Sequence, residues 1–406
     1  MKIAVITSGF LPVPPSKGGA VENLLYNLIK ENEVNEKFEF EIFSIYNEEA
    51  SKIAKEYKKT KFQFIKTNKV IEFCDLLIFY FAKNILKKEN SQSYRFIFQR
   101  LFYLKKVSKA LKLYNYDKIL LENHPTQYLA LKWKKNYKKY DGRYYYHCHN
   151  EFPGTYGCNA IIQKTKKILC VSEFISKKIQ KNLNIEKDKI YVLKNGVDTK
   201  KFEHIFDDQE IVDLKRKLKI EPNDKVLLFT GRLIPQKGVK ELLLSIQNLS
   251  QKYKLLILGA ALNDLKVETK YEKDIKELIN HNKNVIFTGF ISYEEIWKFY
   301  KIADIAVLPS IWDDPAPLTI IEATIAGLPI ITTDSGGIPE YVNTKCAIIL
   351  DRNKDLINQL AINIDKLLGN NELRRKMGEE SIKISQNRNV ENYYKNFVKG
   401  MELNEE

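Results

Sequence analysis

The chain of 406 residues contains no apolar run long enough to cross a bilayer. Its longest, Leu76 to Ala82, is far short of the roughly 20 residues a spanning helix needs, so any membrane contact is peripheral. The opening M-K-I-A-V-I-T turns at Ser8 and Gly9, too early for the apolar stretch of a secretory leader, and a cytoplasmic setting is the expectation. The five cysteines, Cys74, Cys148, Cys158, Cys170 and Cys346, form no C-x-x-C pair and no metal-ligand spacing, which argues for reduced thiols rather than a disulfide framework. Tandem repeats and low-complexity tracts are also missing. Acidic residues are scarce between residues 81 and 140, where Glu89, Asp117 and Glu122 stand alone among many lysines. The formal net charge of +15 calls for a negative partner, either a polyphosphate ligand or an anionic membrane surface. Nucleic acid would rest on charge alone, with no recognition module, and is not expected.

Short β-rich runs alternate with helical patterns throughout. K-I-A-V-I-T, F-E-F-E-I-F-S-I, K-F-Q-F-I-K, K-I-L-L-E, Y-Y-Y-H-C-H, I-L-C-V-S and I-Y-V-L-K fill the first half; K-V-L-L-F-T, K-L-L-I-L, V-I-F-T, I-A-V-L, L-P-I-I-T-T and A-I-I-L fill the second. This alternation predicts α/β architecture with two Rossmann-like, doubly wound parallel sheets. The expected domains are 1–198 and 199–385, divided after N-G-V-D at Asn195 to Asp198, with a terminal helix over 386–406. Tyr393, Tyr394, Phe397 and Met401 form the buried stripe expected of that helix. The aromatic, basic segment from Phe73 to Leu113 fits the alternation badly and reads as a helical insertion in the first domain.

In open α/β sheets ligands sit beyond the carboxyl ends of the strands, and the candidate groups follow predicted strands. After K-V-L-L-F-T comes G-R-L-I-P-Q-K-G, where Gly231 and Gly238 bracket Arg232 and Lys237. A guanidinium fork and an ammonium together can neutralise a diphosphate, making a metal unnecessary. Further on, D-P-A-P-L-T-I-I-E sets Asp314 and Glu322 on either side of a helix start, with Pro315 and Pro317 expected in its first turn. Free N–H groups there attract phosphate, and carboxylates beside it hold sugar hydroxyls, Glu322 suiting a ribose. An acid and base for hydrolysis is the competing reading of this pair. In the first half, Gly18 and Gly19 lead into a helix and permit close backbone approach. His147 and His149 end Y-Y-Y-H-C-H-N on one strand face; no third ligand is apparent for a metal, and either imidazole suits a reacting sugar.

Taken together, the Gly-Gly loop at Gly18 and Gly19, H-N at His149, S-E at Ser172, N-G-V-D at Asn195, G-R-L-I-P-Q-K-G at Gly231, the two acids ending in Glu322, and G-G-I-P-E from Gly336 resemble the family-4 retaining glycosyltransferases of the GT-B fold. The resemblance covers nearly the whole chain. It implies two Rossmann-like domains facing across a cleft, a C-terminal helix returning to the first domain, and a nucleotide sugar, UDP-linked, as co-substrate without metal or other cofactor. Carried over, Arg232 and Lys237 hold the diphosphate, Glu322 the ribose, Asp314 a donor-sugar hydroxyl, and His149 lies near the anomeric carbon. Gly18, Gly19, Gly231 and the backbone of Ala316, Leu318 and Thr319 complete the donor site. The acceptor implied is a growing cell-surface glycan, either lipid-linked or free. Two departures stand out: Asp314 replaces the usual glutamate, and Pro317 replaces a frequent glycine, removing an N–H. A non-catalytic assembly protein of the cell envelope and a UDP-sugar epimerase on the same fold are the alternatives.

Overall fold

The computed structural model describes residues 1–84, 95–203, 208–259 and 270–402. The chain divides into two units, one of Met1–Lys194 joined by the residues from Tyr393 on, the other of Asn195–Asn392. The sequence-based divisions, after 198 and after 385, lie a few residues from these.

Seven parallel strands form the first unit: β1 (Lys2–Ile6), β2 (Glu39–Ile45), β3 (Lys61–Ile65), β4 (Lys118–Glu122), β5 (Tyr144–Cys148), β6 (Lys167–Cys170) and β7 (Ile190–Val192). Their order is β3-β2-β1-β4-β5-β6-β7, so the winding reverses between β1 and β4. Every residue of β4 and β5 is buried, the pattern of strands covered by helices on both faces. Ligands collect at such a reversal because the helices leave the strand ends open there.

The segment read as an insertion proves to be two different things. Helix Ile97–Leu113 buries Tyr103, Leu104, Val107 and Leu111, and the Tyr103 hydroxyl donates to the Phe43 carbonyl at 2.7 Å. It is therefore an integral crossover between β3 and β4. Helix Lys69–Asn84 instead leaves Val70, Phe73, Leu76, Leu77, Tyr80 and Phe81 exposed. It is tied down by Asp75, whose carboxylate accepts from the Phe98 and Gln99 amides at 2.8 and 2.9 Å and so caps the following helix. Residues 85–94 of the expected insertion lie outside the described residues.

The second unit has six parallel strands: β8 (Lys225–Thr230), β9 (Tyr253–Leu258), β10 (Val285–Gly289), β11 (Ile305–Leu308), β12 (Ile330–Thr333) and β13 (Ala347–Leu350), ordered β10-β9-β8-β11-β12-β13. The reversal falls between β8 and β11. One core, with Leu228, Ala306, Ile321 and Tyr341, covers one face; another, with Leu227, Val307, Leu242 and Leu360, covers the other.

The last helix, Val390–Glu402, begins in the second unit and packs in the first. Tyr393, Tyr394, Phe397 and Met401 are all buried. Phe397 meets Phe38 edge-on at 6.1 Å and the Tyr394 hydroxyl donates to Asn32 at 2.8 Å. Among the described residues, no helix is long and apolar enough to cross a membrane.

Candidate functional site

The loop leaving β8 is shaped by glycine. Gly238 has φ +70°, and a Cβ there would stand 1.9 Å from the Pro309 carbonyl oxygen, so the loop lies against the segment leaving β11. Two bonds to the Gln236 carbonyl hold them together, from the Ile311 amide at 3.0 Å and the Ser310 hydroxyl at 3.2 Å. Cations on one loop are thereby set against acids on the other. Lys237 pairs with the Asp314 carboxylate, which is 5 % exposed. Arg232 remains open to solvent and within electrostatic reach of the same carboxylate. Beneath, the Gly337 amide donates to the Asp314 carbonyl at 2.8 Å, and a Cβ on Gly336 would meet that oxygen at 2.5 Å.

Helix Leu318–Ile325 starts after Pro317, whose extended ψ of 122° makes it the cap. This corrects the expectation that both prolines lie in the first turn: Pro315 and Pro317 precede the helix and steer the chain into it. Ala316 is fixed through its carbonyl by the Asn195 side chain at 3.2 Å, and Leu318 and Thr319 open the helix. Thr230, Ser310, Lys237, Asp314, Pro317 and Thr319 line one pocket at the β8 and β11 ends.

Glu322 is 3 % exposed and accepts from the Tyr300 hydroxyl at 2.8 Å, which also lies 2.8 Å from the Thr230 hydroxyl at the end of β8. Burial pushes the Glu322 carboxyl up to about 7, although the Tyr300 hydrogen bond and the charge of Lys201 oppose the rise. Asp314 is paired with Lys237 in the free protein.

In the first unit, Gly18 and Gly19 have φ of +70° and +106°, and Gly19 caps helix Ala20–Asn35. A Cβ on Gly19 would come 2.2 Å from the Glu22 carboxylate. Glu22 is buried, which pushes its carboxyl up to about 7. His147 and His149 share a strand face as expected, with ring centroids 4.0 Å apart. Beside them is Glu122, the last residue of β4, which pairs in register with His147. Its carboxylate lies 3.1 Å from His147 Nδ1 and 3.4 Å from His149 Nε2. Burial pushes the Glu122 carboxyl up, but the two imidazoles outweigh it and hold it at about 2. Burial lowers His149 to about 4, with the charge of His147 adding to the fall. The absence of a third donor beside H-x-H is thus corrected: Glu122, His147 and His149 bring three donor atoms within 4.8 Å, a set a metal ion could use.

The fold therefore gathers Arg232, Lys237, Asp314, Pro317 and Thr319 at one switch point of the second unit, and reaches Glu322 through Tyr300. In the first unit, Gly18 and Gly19 stand at the start of the helix that follows β1, and His149 directly follows β5. Sequence reasoning missed Glu122, Glu22, Thr230 and Tyr300. A charged residue closing the buried run K-I-L-L-E was a usable signal for Glu122; nothing marked Tyr300.

The profile of glycosyl transferases group 1 matches residues 211–384, and that of glycosyltransferase family 4 matches 82–201. The chain is 25 % identical over 391 residues to the putative glycosyltransferase YtcC of Bacillus subtilis, spanning 94 % of this chain and 87 % of that one. It is 31 % identical over 181 residues to the UDP-Gal:alpha-D-GlcNAc-diphosphoundecaprenol alpha-1,3-galactosyltransferase of Escherichia coli, spanning 43 % and 44 %. Anabaena Alr3699/HepE, solved in complex with UDP-glucose, superposes with a TM-score of 0.73 over 98 % of each chain at 16 % identity.

Proposed function

This chain belongs to the group 1 glycosyltransferases of the GT-B fold, and on that premise we propose that it moves a hexose or N-acetylhexosamine from a UDP-sugar to a growing, lipid-linked cell-surface glycan, with retention and without a metal. The observation that carries the reading is the meeting of Arg232, Lys237 and Asp314 at the β8 and β11 ends. In the free protein Asp314 holds the ammonium in place. When a donor enters, its pyrophosphate takes the charge of Lys237 and Arg232, and Asp314 turns to a hydroxyl of the sugar. The two cations then stabilise the negative charge that grows on the departing phosphate, which takes the acceptor proton on the same face. Glu322 accepts from the ribose hydroxyls, and Gly231, Ala316, Leu318 and Thr319 present backbone to the donor. Gly18, Gly19 and His149 are proposed, separately, as sugar contacts of the first unit.

The exposed ridge of Val70, Phe73, Leu77, Tyr80 and Phe81 supports a lipid-linked acceptor and attachment to an anionic membrane surface on the cytoplasmic side. Such a patch, beside a lysine-rich segment, suits partition into a headgroup layer, with about 1 kcal/mol added per cation near it. The Escherichia coli relative's name specifies a diphosphoundecaprenol acceptor, which agrees with this choice.

The test is transfer from a panel of radiolabelled UDP-sugars to lipid-diphosphate-linked saccharides in the presence of EDTA, with the product's anomeric configuration read by NMR. Retained configuration and a loss of roughly 10² to 10³ in turnover for Lys237→Ala are expected. Inverted product, or no transfer until a divalent ion is restored, contradicts the mechanism. UDP binding without transfer to any acceptor returns the chain to a non-catalytic role.

A further inference from the structure

Glu122 has no part in the transfer proposed above, yet among the described residues it is the most tightly enclosed carboxylate of the first unit, at 1 % exposure. An ionised carboxyl in such a place persists only where donors surround it. A carboxylate can only accept, so His147 Nδ1, hydrogen-bonded to it at 3.1 Å, carries a proton; His149 Nε2 stands 3.4 Å from the other oxygen, both atoms buried and without another partner, and the carboxylate charge favours a proton on that nitrogen. His149 then has its proton on Nε2, and in the neutral ring the lone pair falls on Nδ1, at the opposite edge.

The surrounding backbone is built to hold this arrangement. The Gln127 side chain donates to the Ile6 and Glu122 carbonyls at 2.9 and 2.5 Å, tying the ends of β1 and β4 together. Asn123, at φ +69°, donates its amide to the His147 carbonyl at 2.9 Å, and its side chain accepts from Asn150 at 3.0 Å. The Tyr146 hydroxyl closes on the Asn123 carbonyl at 2.6 Å. Five bonds thus fix the strand ends that carry Glu122 and His149.

We infer that Glu122 is a positioning residue, which sets His149 in one tautomer so that Nδ1 presents a lone pair to a ligand hydroxyl. The inference rests on the reading of His149 as a sugar contact. His147 takes the other oxygen in a hydrogen bond, so each oxygen faces one imidazole. The 3.4 Å contact is long for a hydrogen bond, and contacts of this kind tighten when the ligand is bound. Exchanging the carboxylate for an amide leaves a single accepting oxygen for two N–H groups, and one ring must change tautomer or turn.

The full chain, with its five histidines labelled in 15N, is examined at pH 7.5 by two-bond 1H–15N correlation, and the His149 signals are identified by their loss in His149→Asn. The inference expects His149 protonated at Nε2 and bare at Nδ1, and a changed pattern in Glu122→Gln. With the best donor, Glu122→Gln should lower kcat by about 10- to 100-fold while leaving the donor KM within about twofold. Glu122→Asp, which keeps the carboxylate, should restore the wild-type tautomer and most of the rate, and serves if the glutamine variant does not fold. A His149 protonated at Nδ1, or an unchanged pattern in Glu122→Gln, overturns the inference. So does Zn2+ that binds the wild type at one equivalent and displaces the His147 and His149 signals, since the trio would then be a metal site. The tautomer is read without turnover, so a protein that transfers nothing leaves this result standing while removing the functional reading.

Discussion

Replacing Glu322 with glutamine should make the free protein more stable at alkaline pH, although it removes a group proposed to hold the donor. The carboxyl is buried, accepts from Tyr300, and ionises at about 7 rather than at its ordinary 4.5. Because the folded pKa lies above the unfolded one, the folded protein binds more protons between pH 4.5 and 7. Stability contributed by the protonated group is therefore whole below about 4.5 and is lost as pH rises through 7. At about 1.4 kcal/mol per pH unit the loss amounts to roughly 3 kcal/mol at pH 8 and under about 1 kcal/mol at pH 5. Glutamine keeps the oxygen that receives the Tyr300 hydroxyl and cannot ionise. The assay is urea unfolding of wild type and Glu322→Gln at pH 5, 6, 7 and 8. Any fixed cost of the amide cancels in the pH dependence of their difference, as does Glu22, which is present in both proteins. The glutamine variant should gain on the wild type by roughly 2 to 3 kcal/mol between pH 5 and pH 8. A difference that stays flat across this range refutes the claim that burial governs Glu322.

Tyr300→Phe removes the hydroxyl that bonds Glu322, so the wild-type pH dependence should shift to higher pH, with a further cost of about 1 to 3 kcal/mol for the carboxylate left short of a donor. Gly238→Ala puts a methyl into the Pro309 carbonyl at a left-handed φ, and a fall in melting temperature matching more than about 2 kcal/mol is expected. Phe73→Ser with Phe81→Ser takes two exposed rings from helix Lys69–Asn84; at about 1.5 to 3 kcal/mol per ring, flotation with anionic vesicles should weaken at least tenfold while the fold is kept.

The central strands of both sheets were legible because β-branched and aromatic runs buried on both faces have no other way to bury so much apolar surface in so few residues, and the part-exposed edge strands β3, β7 and β10 were legible from their composition. The buried stripe of the last helix was legible for the same reason, through its spacing. Helix Ile97–Leu113 carries a comparable stripe at Tyr103, Leu104, Val107 and Leu111, but dense lysine on its other faces masked it, and it was set apart as an insertion. The helix start at Leu318 was read too early because proline is accepted in a first turn; only the backbone angle decides that Pro317 stands outside. Pairings across the sheet were beyond sequence reasoning altogether. Glu122 and His147 are 25 residues apart and meet because β4 and β5 are neighbours, and Tyr300 reaches Glu322 from a separate helix.

The central claim is that Arg232, Lys237 and Glu322 hold one diphosphate-linked donor in the second unit. Calorimetric titration of UDP into the full chain with EDTA present tests it most directly, beside Arg232→Ala, Lys237→Ala and Glu322→Gln. The account predicts binding by the wild type and a weakening of tenfold or more in each variant, as expected when a charge-assisted bond of about 1.5 to 3 kcal/mol is lost. Affinity for UDP that is indifferent to all three substitutions would contradict it.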